Sequence, residues 1–147
     1  MTYTSTYRAA VRTALNTDLQ TFQAAHPTLL NQVYRALPRS VTAPCAWIGD
    51  FTEPAIYMSA AVVTRQPQVE IILVQGEYEN AATADAQDVL VDTFLSYAVN
   101  LNTVGPGVVI GIATADRELT FGGAGGSTAR YLATVVTLTL DLMEGGI

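Results

Sequence analysis

The segment RYLATVVTLTLDL, residues 130–142, is the strongest constraint on what this chain can fold into. Leu132, Val136, Leu138, Leu140 and Leu142 fall on one side of an extended backbone, and Tyr131, Ala133, Val135, Thr137, Thr139 and Asp141 on the other. A period of two belongs to a β-strand, because a helix would scatter the same residues around its axis. PQVEIILVQGEY, Pro67 to Tyr78, tightens the constraint. Val69, Ile71 and Leu73 alternate with Glu70, Ile72 and Val74, so its centre is apolar on both sides. Such a segment reads as a central strand covered on both faces, by helices or by a neighbouring subunit.

Helical spacing appears twice. From Thr4 to Phe22, Tyr7, Val11, Leu15, Leu19 and Phe22 form one apolar stripe, while Arg8, Arg12, Asn16 and Gln20 lie elsewhere. Thr4, Ser5 and Thr6 offer capping hydroxyls, and His26-Pro27 marks the stop. The second helix is expected to be capped by Asn80 and to run to about Val99. Ala86, Val89, Leu90, Phe94, Tyr97 and Leu101 make its buried stripe, with Asp85, Asp88 and Asp92 on a solvated face.

The remaining elements are strands and connections. HPTLLNQVYRALP suits either a short helix or, at Val33-Tyr34, a brief extended segment. CAWIGDF, from Cys45, reads as a strand with Cys45, Trp47 and Gly49 on one face and Ala46 and Ile48 on the other. AIYMSAAVVTRQ, Ala55 to Gln66, reads as a β run, VVIGIAT from Val108 as another, and ELTF from Glu118 as a third. Helix, strands, helix, strands, without regular βαβ alternation, predicts an α+β fold with a mostly antiparallel sheet. At 147 residues the chain is expected to be a single domain over 1–147.

Composition narrows the function classes. The net charge is −6, there is no lysine, and seven arginines are scattered singly. Phosphate binding needs clustered cations, so sequence-specific nucleic-acid recognition is not expected. The missing lysine also removes Schiff-base chemistry and the lysine of a phosphate-binding loop. Half of the residues are hydrophobic and 14% are charged, below the roughly 25% of an average soluble domain. That balance suits an oligomer, or a compact monomer with few surface charges. No apolar run approaches the roughly 18 residues of a membrane span, and MTYTSTYRAAVRTAL, without a basic stretch followed by an apolar one, is not expected to act as a secretory leader. A cytoplasmic, soluble protein is expected.

FGGAGGSTARYL, Phe121 to Leu132, has the composition of a phosphate-cradling loop. Such a loop must open a helix, whose amides hold the anion. Here the long alternating strand follows instead, so the stretch reads as a hairpin loop, expected to be ordered only by a neighbouring protein. His26, the only histidine, precedes a proline and has no G-x-S-x-G partner. Cys45 lies in an apolar strand and reads as a packed thiol. Trp47 reads as core or interface, since no basic groove surrounds it. Asp85, Asp88 and Asp92 spread along a helix instead of converging on a cation. No catalytic residue, cofactor site or metal site is expected, and the chain is expected not to be an enzyme.

QVYRALPRSVTAPCAWIGDF, Gln32 to Phe51, resembles a pattern of small phage tail-terminator and tail-completion proteins: a leading helix, a Val-Tyr pair, a proline, and a Pro-led strand ending Ile-Gly. The order that follows is similar, with a strand like VEIILVQGEY, the helix NAATADAQDVLVDTFLSYAV and closing strands. The likeness runs from about Leu29 to Leu142. It implies a non-enzymatic subunit of a hexameric ring in the tail or neck of the virion, assembled in the host cytoplasm. Such a ring caps the tail tube, stops its polymerisation and joins the head connector or stopper. Its implied partners are copies of itself, the major tail tube protein and the connector. Candidate assembly contacts are Trp47, Asp50, Phe51, Phe121, Gly122, Gly123, Gly125, Gly126 and Arg130. A head–tail stopper or adaptor is the nearest alternative, and a small-molecule-binding α+β module a more distant one.

Overall fold

A computed structural model of the protein describes residues 7–39, 41–53, 56–58, 62–77, 81–122 and 128–145. Helix α1, Tyr7–Ala25, buries Tyr7, Val11, Leu15, Leu19 and Phe22, the stripe its spacing predicts. Full burial of such side chains contributes roughly 1.5–3 kcal/mol each. The helix ends as expected, with the His26 N–H donating to the Phe22 carbonyl (2.9 Å) and the imidazole lying against the Phe22 ring (4.8 Å). Residues 4–6, with their capping hydroxyls, and Asn80 lie outside the described residues.

The ambiguous HPTLLNQVYRALP segment resolves as a turn and a strand. Leu29 and Leu30 both donate to the His26 carbonyl, and β1, Gln32–Tyr34, then runs parallel to β2, Cys45–Thr52. Pro44 offers its carbonyl to the N–H groups of Asn31 and Gln32, and the Tyr34 hydroxyl accepts from the Thr42 N–H (3.0 Å). These bonds hold the extended alternative in place.

The stretch Ala55 to Gln66 is not one run. It folds back as β3, Ile56–Met58, against β4, Val62–Arg65, with Met58 opposite Val63. The long strand β8, Thr128–Gly145, offers this stretch only its last four positions, Leu142 to Gly145, and β4 fills them. Pairing with β4 gives the backbone groups of β3 their partners.

Strand β5, Gln68–Glu77, is central, antiparallel to β2 on one side and to β8 on the other. Its two apolar faces both find cover. Val69, Ile71 and Leu73 meet α1 and the second helix, α2, Ala81–Ala98. Ile72 and Val74 belong to a smaller core with Cys45, Trp47, Ala133 and Val135, packed by Tyr34, Val41, Ala43, Leu119, Phe121 and Tyr131. Among the described residues no helix takes part on that side; Tyr34, Val41 and Ala43 and side chains of the sheet itself supply the cover.

The predicted stripe of α2 is right in Leu90 and Phe94 and wrong in Val89, which is 53% exposed. The buried face runs Gln87, Leu90, Phe94 and Ala98, and Val89 lies 100° away from Leu90. Gln87 enters that face because the sheet needs its amide. Its Nε2 donates to the Leu73 carbonyl (2.9 Å) and to Thr134 Oγ1 (3.1 Å), and its Oε1 accepts from the Gln75 N–H (2.7 Å). Asp85, Asp88 and Asp92 are exposed. The edge of Phe22 meets Phe94 at 5.3 Å, joining the two helices on one face of the sheet.

A tight hairpin links β6, Thr103–Val104, to β7, Gly107–Gly122. Gly105 has φ +56° there, and a Cβ on it would stand 3.1 Å from the Ala10 carbonyl oxygen of α1. VVIGIAT and ELTF, expected as separate strands, are both parts of β7. Ala115, Asp116 and Arg117 continue its pairing with β8, opposite Val135, Thr134 and Ala133. Their charges do not break the strand because each finds a partner: Thr134 Oγ1 donates to Asp116 (2.8 Å), and Arg117 pairs with Glu70 (3.7 Å).

The eight strands form one sheet, ordered β1-β2-β5-β8-β4-β3, with β7 on the other side of β8 and β6 on β7. Among the described residues only β1 and β2 pair in parallel. Two helices on a mostly antiparallel sheet make the protein α+β, as expected.

Candidate functional site

The sheet face away from the helices carries a small concavity, and its construction begins in CAWIGDF. Trp47 points to this face and is 2% exposed. Pairing of β2 with β5 shifts register between Ile48 and Phe51, at Gly49-Asp50. The bulge aims consecutive residues to different places. Asp50 reaches the concavity, while Phe51 joins the helix-side core under the guanidinium groups of Arg12 (4.6 Å) and Arg8 (5.7 Å). Trp47, Gly49, Asp50, Glu70, Ile72, Arg117, Leu119 and Leu37 line a cavity of about 190 Å³ that is open to solvent on one side. Gly49 keeps one wall back: a Cβ there would stand 3.1 Å from Ile72 Cδ1 and 3.3 Å from Glu70 Oε1.

The candidate contacts divide between the two faces. Phe121 stacks edge-on against Trp47 (6.2 Å) and Tyr131 (5.9 Å), so Trp47, Asp50 and Phe121 gather on one side. Arg130 is cross-strand from Thr120 and pairs with Glu118 on the other side, where the guanidinium holds the Glu118 carboxyl below its ordinary range. Gly122 closes β7 opposite Thr128, and Gly123, Gly125 and Gly126 lie outside the described residues, as does most of the predicted hairpin loop. Sequence reasoning missed Glu70, Ile72, Arg117, Leu119 and Leu37 as companions of Trp47 and Asp50. The available signal was Gly49, a glycine inside a strand, which often marks a bulge or a close approach.

Two further features are exposed. Ile56, Tyr57 and Met58 of β3 are 49%, 62% and 79% exposed. Successive strand residues point to opposite faces, so neither face of β3 is covered. Strand β7 is the other: beyond its bond from the Val109 N–H to Asn102, its outer edge from Ile110 onward meets no strand among the described residues.

The remaining chemical groups are held in packed or paired states. Arg65 makes a bidentate bond to Glu53 (2.5 Å to each oxygen) and lies over the Tyr7 ring (4.4 Å). That bond lowers the Glu53 carboxyl below its ordinary value, and burial, with Glu53 close by, pushes the Tyr7 phenol up to about 12. Burial likewise pushes the Cys45 thiol up to about 12. Among the described residues no three His, Cys, Asp or Glu side chains converge where a metal would sit, and no helix is long and apolar enough to cross a membrane.

No family model matches this chain, and no curated protein does. Among solved structures it is similar to a chain in the virion of a native gene transfer agent (GTA) particle. Identity is 13% and the TM-score 0.46, with 94% of this chain and 99% of that chain covered.

Proposed function

We propose that this protein is a structural, non-enzymatic subunit of a phage-type virion, of the tail-terminator kind, which closes into a ring on the head-proximal end of a tail tube. The observation that carries the reading is the pair of open sheet margins. On one side the β7 edge from Ile110 onward meets no strand among the described residues, and on the other the β3 hairpin presents Ile56, Tyr57 and Met58 to solvent. Long unpaired edges and consecutive exposed apolar side chains are liabilities that a monomer normally blunts with charge, proline or cover. Two different margins suit a head-to-tail contact, which repeats around an axis until it closes. The resemblance of Gln32 to Phe51 to tail-terminator proteins supplies the kind of ring. Copies of the chain, the tail tube protein and the head connector are the partners of this reading.

The test is the particle mass of the purified protein by light scattering, alone and with added tail tubes, and negative-stain imaging of the same samples. A ring, in solution or on the tube end, is the expected result. Tyr57→Asp with Met58→Asp, at two exposed positions, is expected to abolish it while the subunit stays folded. A monomer at tens of micromolar that also fails to assemble on tubes overturns the proposal.

A further inference from the structure

We propose that the cavity beside Trp47 is a receptor for one arginine side chain displayed by a partner protein. Three observations converge on that occupant. The first is size. About 190 Å³ is less than the roughly 300–1,000 Å³ of small-molecule sites and little more than the roughly 150 Å³ cavity that holds one benzene. It accommodates a single side chain.

The second is charge. Asp50 and Glu70 supply two carboxylates against the one guanidinium of Arg117, so acidic side chains outnumber basic ones in the lining. Arg117 is already met by Glu70 at 3.7 Å, and Asp50 forms no ion pair among the described residues. An anion would face two carboxylates and an engaged cation. A cation finds Asp50 ready and Glu70 within the same wall.

The third is the lining. Trp47, Ile72, Leu119 and Leu37 are apolar, and Leu37 is 70% exposed at one side. A small inorganic cation leaves these surfaces unused. Arginine places an apolar stem on such a lining and carries its charge outward, where the planar fork meets carboxylates in a bidentate bond. A buried apolar anchor with a polar rim is also the usual form of an interface hot spot.

Gly49 makes the receptor possible, because a side chain there would press on both Ile72 and Glu70. The inference stands apart from ring formation, since occupancy is read on the subunit with a small probe.

Trp47 is the only tryptophan, so its indole N–H resonance reports the cavity without ambiguity. Titration of the folded protein with N-acetyl-arginine amide is expected to move that resonance saturably in the millimolar range. Asp50→Asn, a change at an exposed residue, is expected to weaken the response about fivefold, and Gly49→Ala to reduce it further. N-acetyl-leucine amide and N-acetyl-aspartate amide are expected to leave it in place. No saturable movement with the arginine probe overturns the proposal. So does an equal response to either control, or an Asp50→Asn protein that binds as the parent does.

Discussion

The side-chain amide of Gln87 closes the gap that the bulge at Gln75 opens in the sheet: the Gln75 N–H, displaced from the β5–β8 ladder, donates to Gln87 Oε1 at 2.7 Å. The same amide serves the Leu73 carbonyl and Thr134, which in turn donates to Asp116. One residue of α2 thus ties together β5, β8 and β7. Gln87→Leu keeps the volume, takes one bond from the Leu73 carbonyl and leaves the Gln75 N–H, which the bulge removes from the ladder, without this acceptor; an unmet buried donor costs about 1–3 kcal/mol. Urea denaturation is expected to show a lower midpoint with little change in slope. A midpoint equal to the parent's contradicts the role given to the amide.

Glu53 and Arg65 form a second prediction, with its sign set by the depressed carboxyl. The folded-state value of Glu53 lies below the ordinary 4.5 because Arg65 donates two hydrogen bonds to it. On acidification the unfolded chain takes up the proton first. The stability from this pair is therefore complete above about pH 4.5 and is lost as pH falls through the folded value. Glu53→Gln is expected to cost about 3 kcal/mol at neutral pH, since it removes the carboxylate charge that a buried guanidinium meets with two hydrogen bonds, and to flatten the acid limb of the stability profile. Thermal melts across that range check both.

Gly105 answers two demands at once, a positive φ and the approach of Ala10. Gly105→Ala meets strain in both, so a loss of about 1–3 kcal/mol is expected. Gly111, where an added Cβ meets only ordinary contacts beyond 3.6 Å, is the comparison position, and Gly111→Ala is expected to be much milder.

Ile72→Asp is expected to prevent folding. Ile72 is 4% exposed between β2 and β8, and the one guanidinium of the adjoining cavity, Arg117, is already met by Glu70, so a new carboxylate there is buried without its own countercharge. Soluble protein with an unchanged melting temperature contradicts the central place of β5.

Cys45 is expected to resist iodoacetamide at mildly alkaline pH until the protein unfolds, because burial holds the thiol protonated. Alkylation rates that follow denaturant concentration support this; rapid labelling of the native protein contradicts it.

Much of the fold was legible in the sequence because two periods were clean. Spacings of four and three mark α1, and alternation marks β5 and β8, since burial on one side of an element imposes its repeat directly on residue type. What escaped was set by partners distant along the chain. Val89, expected in the buried stripe, is exposed, and Gln87 is buried where a bulge in β5 meets its amide, which no local pattern announces. Asp116 and Arg117 looked like a break between strands until Thr134 and Glu70 came beside them. The run from Ala55 divided into β3 and β4, with β4 pairing to Leu142–Gly145 of β8, positions far along the chain. Of the candidate assembly contacts, Trp47, Asp50 and Phe121 meet on one face, while Phe51 and Arg130 lie on the other. The sequence by itself determined the helices, the central strands, the α+β class and the acidic, lysine-free surface, all properties of single segments or of composition. Only the tertiary structure decided which residues line the cavity beside Trp47 and which edges stay open, because strand order and sheet curvature bring together residues that no sequence spacing relates.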